Sequence, residues 1–174
     1  MTAASPFAYR VVPLSPSHVR ADFHCGVPEL DRYLQHQAGQ DARRKVAAPF
    51  VLVDESGSLA GYYTLSAFSV HLAELPKAIA RRLPRYPLLP ATLLGRLAIS
   101  LSFRGQHLGR FLLVDALSRS CKNTSEVASV GVVVEAFDEN ARAFYLHYEF
   151  SPLGNQPDKL FLAMATIEKA RSSR

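Results

Sequence analysis

The sequence predicts an α/β fold whose central mixed sheet has six to seven strands flanked by helices. Two stretches carry this prediction. Over Leu93–Leu113 an apolar strand ends in a short basic loop and is followed at once by an amphipathic helix, and over Val132–Phe150 a β-branched apolar run leads into a second helix. The predicted elements of the whole chain follow the order β-α-β-β-α-β-α-β-α-β, which is typical of this fold class.

The first half of the chain is predicted to contain a strand, a helix and a hairpin. The first strand is Tyr9–Pro13. Pro28 favours a helix start, because the N–H that proline lacks has no partner in a first turn, and the helix is predicted to run to about Arg44. Phe50–Asp54 and Leu59–Ser66 are strands joined by a short polar turn. The apolar stripe of the helix consists of Leu30, Tyr33, Leu34 and Ala38.

The second half begins with a proline-rich stretch over residues 76–90 and continues with two strand–helix pairs. Asp138 favours the start of the second of these helices, because its carboxylate can accept a backbone N–H of the first turn. The predicted elements are a short helix at Lys77–Leu83, a fourth strand ending at Leu97–Ile99, a helix at Gly109–Cys121, a polar turn at Lys122–Glu126, a fifth strand at Val132–Val134, the Asp138 helix and a final strand near Leu160–Ala165.

Length and composition limit the class of protein. The 174 residues, of which 48% are hydrophobic, are predicted to form a single domain over 1–174 with its own core. No apolar run approaches the length of a membrane span, and the first residues lack the apolar core of a signal peptide. Cys25 and Cys121 lie far apart and the histidines lack metal-ligand spacing, so we expect a reduced, cytoplasmic protein without a metal site.

The loop between the fourth strand and its helix is the strongest candidate for a binding site. It reads Arg104-Gly105-Gln106-His107-Leu108-Gly109-Arg110. A helix N-terminus presents N–H groups without intrahelical partners and the positive end of the helix dipole, so it favours a phosphate, and two arginines flank these amides. The spacing excludes a P-loop, which needs GxxxxGK[ST], and a Rossmann fingerprint, which needs GxGxxG. A tight turn without a ligand is the alternative interpretation.

Two landmarks carry a resemblance to a known family. The loop fits the pattern [RQ]-x-x-G-x-[GA] at Arg104 and Gly109, with His107 in place of the middle glycine. Downstream, the stretch from Ala141 to Phe150 fits AxxFYxxxGF, with Glu149 in place of the glycine. Together they resemble the diphosphate loop and the following strand–helix of the GNAT superfamily of N-acetyltransferases.

This resemblance implies the GNAT fold, with acetyl-CoA as cosubstrate at the splay between the fourth and fifth strands. Backbone amides at the end of the fourth strand would hold the thioester carbonyl and the pantetheine, and Asp138 stands where many members carry a cofactor-contacting asparagine. The implied cofactor-binding residues are Leu97, Ala98, Ile99, Arg104, Gly105, Gln106, His107, Leu108, Gly109, Arg110 and Asp138.

Tyr145 is the implied catalytic residue, because its family counterpart lies near the CoA sulfur and a phenol is protonated at neutral pH. The leaving thiolate must gain a proton, so Tyr145 would act as the general acid. Packing on the apolar face of the helix is the alternative role. Glu135, at the end of the fifth strand, is a candidate base, although a water or no dedicated base would also serve.

Further motifs narrow the resemblance to one branch, the GNAT toxins of type II toxin–antitoxin modules, over about Phe23 to Met164. Members of that branch transfer an acetyl group from acetyl-CoA to the α-amine of aminoacyl-tRNA, which blocks translation. A ribbon-helix-helix antitoxin neutralises them. The resemblance is also compatible with a homodimer. The motifs that carry it are Cys25-Gly26 with Leu30-Asp31 and Tyr33-Leu34, Gln40-Asp41 with Arg43-Arg44, Gly61–Ser66 and Leu94–Ile99.

The net charge of +5 suits a polyanionic partner, although CoA is itself a polyanion. Backbone contacts of basic residues to RNA are sequence-independent and salt-sensitive, and a solubilising basic face is the alternative. Two other functions stay open: acetylation of a small-molecule or protein amine, and a non-catalytic GNAT-fold binding protein whose departures at His107, Asp138 and Glu149 exclude CoA. The candidate acceptor-binding residues are Lys77, Arg81, Arg82, Arg85 and Arg96.

Overall fold

The computed structural model describes residues 8–173, and within them seven strands form one mixed sheet. The strands are β1 (Tyr9–Pro13), β2 (Ala48–Asp54), β3 (Leu59–His71), β4 (Leu88–Ile99), β5 (Gly131–Glu135), β6 (Ser151–Leu153) and β7 (Gln156–Ala163). Their order across the sheet is β1-β2-β3-β4-β5-β7-β6. β4 and β5 are parallel, whereas β2 is antiparallel to β1 and β3, and β7 is antiparallel to β5 and β6. The predicted mixed α/β fold is confirmed.

Helices connect these strands. They are α1 (Pro28–Arg32), a π-helical turn (Tyr33–Gln37), α2 (Ala38–Arg43), α3 (Lys77–Ala80), α4 (Leu108–Asn123), α5 (Glu139–His147) and α6 (Met164–Ser172), with 3-10 turns at Leu72–Glu74 and Leu101–Phe103. None of the helices within residues 8–173 is long and apolar enough to cross a membrane.

Most predicted elements are confirmed, and the differences have local causes. The helix predicted from Pro28 to Arg44 is present, but its middle turn is π-helical. The predicted Lys77–Leu83 helix ends already at Ala80, and α4 extends two residues into the predicted turn at Lys122–Glu126. β6 and α6 were not predicted. For β6 the reason is that a three-residue strand containing a proline has no sequence signal apart from its partner strand.

The chain divides into two compact units, each with its own apolar core. The first unit comprises residues 8–66 with Arg96–Ala116, and its core includes Tyr33, Leu34 and Tyr62. The second unit comprises Ala67–Gly95 with residues 117–173, and Val133 and Phe161 lie in its core. The single domain over 1–174 stays a prediction.

The parallel pairing of β4 and β5 is short. It joins Thr92, Leu93 and Leu94 to Val132, Val133 and Val134. Four of the five β5 residues are buried, as expected for a strand covered on both faces, and its run of valines fits that environment. The pairing ends at Leu94, five residues before β4 itself ends at Ile99.

Candidate functional site

The predicted loop joins β4 to α4 in the first unit. After β4, the backbone makes a 3-10 turn at Leu101–Phe103 and α4 begins at Leu108. The N–H of Phe111 donates to the carbonyl of His107 at 3.2 Å. The N–H groups of residues 108–110 therefore precede the first intrahelical bond, and they are the donors that a helix N-terminus offers to an anion.

Two loop residues adopt the left-handed backbone region. Gly105 has φ +81° and His107 has φ +58°. Glycine enters this region without a steric penalty. Histidine pays a modest steric penalty there and is one of the non-glycine residues found in this region more often than most. His107, which departs from the GNAT pattern, therefore takes a backbone conformation that a glycine would adopt readily. The chemical change is an added imidazole at the loop.

Contacts within the first unit fix this loop. The Arg104 Nη2 donates to the carbonyl of Cys25 at 2.9 Å. The Tyr9 hydroxyl donates to Oε1 of Gln106 at 2.7 Å, and the Tyr9 ring packs edge-on against Phe103. The loop is thus tied both to β1 and to the segment before α1. Arg104 therefore stabilises the loop through a hydrogen bond to a backbone carbonyl, and its positive charge remains at the loop.

Asp31 holds the segment that receives Arg104. Its carboxylate is buried and accepts the Cys25 N–H at 2.8 Å and Nδ1 of His24 at 3.0 Å. Burial acts to raise the pKa of Asp31, but the hydrogen bonds from Cys25 and His24 outweigh it and hold the pKa below its usual value. Burial and the Asp31 carboxylate raise the pKa of the Cys25 thiol to about 11, so this cysteine is protonated at neutral pH.

Asp138 is the N-cap of α5, as predicted. Its φ of −147° is extended, and its side chain accepts the N–H of Ala141 at 2.8 Å. The capping bond satisfies one of the free donors of the first turn and fixes the start of the helix that carries Tyr145. The carboxylate itself is exposed.

The other end of α5 is fixed by a Schellman motif. The N–H of Phe150 donates to the carbonyl of Tyr145, and the N–H of Glu149 donates to the carbonyl of Leu146, both at 3.2 Å. Glu149 has φ +71°, which is the left-handed position that usually holds glycine. The Phe150 ring packs on the Tyr145 ring with centroids 5.4 Å apart, so backbone and side-chain contacts both hold Tyr145 in place.

The Tyr145 ring lies in the second unit and is almost fully buried. Its hydroxyl has no hydrogen-bond partner among residues 8–173. Burial raises the pKa of Tyr145, which keeps the phenol protonated at neutral pH. The geometry is that of a fixed ring with a free proton donor.

Sequence comparison shows the family of the chain. A tRNA-acetylating toxin of Mycobacterium tuberculosis is 33% identical over 142 residues, which are 82% of this chain and 84% of that relative. The chain belongs to the GNAT-fold acetyltransferase toxins of toxin–antitoxin modules. A probable toxin TacT of Sinorhizobium fredii is 28% identical over 170 residues, which are 92% of this chain and 94% of that protein. No protein-family model matches the chain.

Solved structures of GNAT toxins have the same fold. AtaT complexed with acetyl-methionyl-tRNAfMet superimposes with a TM-score of 0.87 at 29% identity, and a KacT mutant with a TM-score of 0.87 at 28% identity; each covers 94% of this chain and 99% of the other. An AtaT mutant bound to acetyl-CoA and to the C-terminus of the antitoxin AtaR has a TM-score of 0.80 at 25% identity, over 95% and 99% of the two chains. The predicted membership of the toxin branch is confirmed.

The candidate acceptor residues of this GNAT toxin lie in different surroundings. Lys77, Arg81, Arg82 and Arg85 are exposed in and after α3 of the second unit, and none of them forms an ion pair among the described residues. Arg96 lies on β4 in the first unit, with its guanidinium carbon 3.5 Å from the centroid of the Tyr33 ring.

The candidate base lies at the surface, at the end of β5. Glu135 is exposed at the end of β5, with its carboxylate 3.8 Å from Nζ of Lys159. Residues 8–173 contain no group of three or more side chains that could hold a metal ion. Sequence reasoning missed the Arg104–Cys25 and Tyr33–Arg96 contacts, because both join residues far apart in the chain.

Proposed function

We propose that this chain acetylates the α-amine of aminoacyl-tRNA with acetyl-CoA as the donor, and that it thereby blocks translation as a toxin. The observation that carries the chemistry is Tyr145, a fixed and protonated phenol whose hydroxyl is free to donate. The observation that favours the acceptor is the similarity to AtaT, which was solved with acetyl-methionyl-tRNAfMet, and to a tRNA-acetylating toxin.

The residues of the loop fit a diphosphate. Free N–H groups at the start of α4, the left-handed backbone at Gly105 and His107, and the anchored Arg104 together form a cationic turn open to an anion. We assign the diphosphate of acetyl-CoA to Arg104–Arg110 and its pantetheine arm to the backbone of Leu97–Ile99. Asp138 acts in this proposal through the start of α5. The alternative, a binding protein without CoA, rests on the added side chain at His107, and the left-handed φ of +58° at this residue supports a loop that is nevertheless shaped for an anion.

Acetyl transfer then proceeds with few protein groups. The neutral α-amine attacks the thioester carbonyl, so a C–N bond forms, the C–S bond breaks and the thiolate leaves. Tyr145 gives its proton to the leaving sulfur and later regains one from water, while the amine loses its extra proton to water. A thiolate in a poorly solvated site is more basic than one in water. It can therefore take a proton even from a phenol whose pKa is raised.

Partners follow from the same proposal. Lys77, Arg81, Arg82 and Arg85 contact the RNA backbone, supported by their exposure and by the absence of an ion pair among the described residues. An antitoxin neutralises the toxin, supported by the AtaT complex with the C-terminus of AtaR and by the KacTA–DNA complex. We take this antitoxin to be of the ribbon-helix-helix class, as the resemblance to the toxin branch implies. Aminoacyl-tRNA is a cytoplasmic substrate, so we place the activity in the cytoplasm. The homodimer remains part of the proposal.

Incubation of the purified protein with labelled acetyl-CoA and total charged tRNA tests the proposed function. We expect the label to enter the aminoacyl fraction and to be released with the amino acid by mild alkali, which cleaves the ester. Uncharged tRNA is the matched control and should stay unlabelled. Label that enters neither sample, or that enters a small amine or protein instead, would contradict the proposal.

A further inference from the structure

The helix that precedes β2 contains a π-helical turn with a structural consequence. The N–H of Ala38 donates to the carbonyl of Tyr33, five residues earlier. In a regular α-helix, residues i and i+7 share a face, and one extra residue in a π turn shifts this match to i+8. Tyr33 and Asp41 are eight residues apart, and the Tyr33 hydroxyl donates to Oδ2 of Asp41 at 2.8 Å. Turns of this type occur frequently at functional sites.

Asp41 accepts a hydrogen bond from a neutral donor on each of its carboxylate oxygens. Its Oδ1 accepts Nε2 of Gln37 at 2.9 Å, and its Oδ2 accepts Tyr33. The hydrogen bond from Gln37, and next to it that from Tyr33, hold the pKa of Asp41 below its usual value against the opposing effect of burial. A charged carboxylate therefore fixes the phenol of Tyr33, whose ring is buried and stacked near Tyr62.

Arg96 rests on this fixed ring. Its guanidinium carbon is 3.5 Å from the Tyr33 centroid, which is the geometry of a cation–π contact. The Arg96 side chain donates no hydrogen bond and forms no ion pair among residues 8–173, and Asp41 is not within ion-pair distance of it. A planar guanidinium is thus oriented on a rigid strand with its five N–H donors unused.

We propose that Arg96 binds a phosphodiester of the acceptor RNA and that Tyr33 and Asp41 are the residues that position it. A guanidinium in a fixed plane matches two phosphate oxygens, which a flexible ammonium does not. This inference rests on the proposed acceptor. It distinguishes Arg96 from the exposed Lys77–Arg85 segment, because its side chain is held in one orientation before the ligand arrives.

The neighbouring charge favours RNA over an acidic peptide. A Cβ placed on Gly39 of α2 would lie 3.3 Å from Nη1 of Arg20 and 3.4 Å from Nη1 of Arg43, so two guanidinium groups lie over this glycine. Arg44 adds a third cation close enough to Asp41 to lower its pKa. Several cations on and beside one helix suit the repeated charge of a phosphate backbone, whereas a single carboxylate needs one partner.

Binding of uncharged total tRNA at several salt concentrations tests this role without requiring catalysis. We expect Arg96→Gln to weaken binding about tenfold and to reduce the salt slope by about one. Arg96→Lys should restore the slope but only part of the affinity. Tyr33→Phe keeps both the ring and every charge, so it should weaken binding about threefold with an unchanged slope, because the cation–π contact is kept and the plane of the ring is released. Arg10→Gln, an exposed arginine on β1, is the control of equal charge change.

The following results separate the outcomes. The inference is wrong if a folded Arg96→Gln protein binds tRNA with the affinity and slope of Arg10→Gln, or if it instead loses affinity for acetyl-CoA or for an acidic antitoxin peptide. If Arg96→Gln does not fold, an Arg96→Lys protein that binds tRNA with full affinity also contradicts the inference. A wild-type protein that binds tRNA through Arg96 but acetylates no charged tRNA contradicts the proposed function alone.

Discussion

Among residues 8–173, three side chains other than glycine occupy the left-handed backbone region: Lys45, His107 and Glu149. Two of them stand where the GNAT patterns carry glycine. Both positions take the left-handed φ that glycine adopts readily, although neither of them holds glycine. The consequence is local strain, which a non-glycine residue in this region stores at a cost of about 1 to 3 kcal/mol.

Glu149→Gly should release this strain at the end of α5. Glycine gains freedom in the unfolded chain, which offsets part of the benefit, so we expect the free energy of unfolding to rise by about 0.5 to 1 kcal/mol. Urea unfolding measures the change. Glu149→Ala is the control, since it removes the carboxylate but keeps the strained φ and should be nearly neutral. A glycine variant no more stable than the alanine variant would disprove the strain.

At the scale of elements, the sequence predicts what depends on local chemistry. β1 is predicted at its observed bounds, and Pro28 and Asp138 mark the starts of their helices, because periodicity and capping are local. The π turn at Tyr33–Gln37 and the strand β6 depend on tertiary partners, so they have no local signal. The contacts that fix the loop, such as Tyr9 to Gln106, also join distant residues.

We expect the loop and the start of α4 to act as one element in acetyl-CoA binding. Gly109→Asp adds a carboxylate beside the N–H groups assigned to the diphosphate, so its affinity for acetyl-CoA should fall at least about tenfold, equal to about 1.4 kcal/mol. His107→Gly keeps the left-handed backbone and should bind as well as the wild type or better. Calorimetry measures both affinities. If Gly109→Asp binds acetyl-CoA as tightly as the wild type, the loop is not part of the site. If His107→Gly loses much of its affinity for acetyl-CoA, the imidazole is a phosphate ligand.

Asp31 holds the segment to which Arg104 of the loop is bonded, and its ionisation makes the stability of the protein depend on pH. Its lowered pKa means that the folded protein binds this proton less readily than the unfolded chain. The stabilisation is therefore complete above the unfolded pKa of about 4 and is lost as pH falls through the lower folded value. Asp31→Asn should cost about 1 to 3 kcal/mol at neutral pH and show a smaller further loss in acid. Urea unfolding between about pH 7 and pH 3 checks this; equal pH dependence in both proteins would refute it.

At the scale of the whole molecule, the chain has a net charge of +5, and its candidate acceptor-binding residues are of two kinds. The Lys77–Arg85 residues are exposed, whereas Arg96 is stacked and fixed. The sequence predicts both groups by composition but cannot separate them, because their difference lies in tertiary contacts. The fold, the family and the position of the loop in the chain could be predicted; the roles of Tyr145 and of the basic residues remain proposals.

The central claim is that Tyr145 donates the proton that releases CoA. Tyr145→Phe keeps the buried ring and its contact with Phe150 and removes the hydroxyl, which has no partner among the described residues. We predict that acetylation of charged tRNA falls about a hundredfold to ten-thousandfold, while the affinity for acetyl-CoA and the melting temperature barely change. A folded Tyr145→Phe protein that acetylates charged tRNA at the wild-type rate would contradict this role of Tyr145.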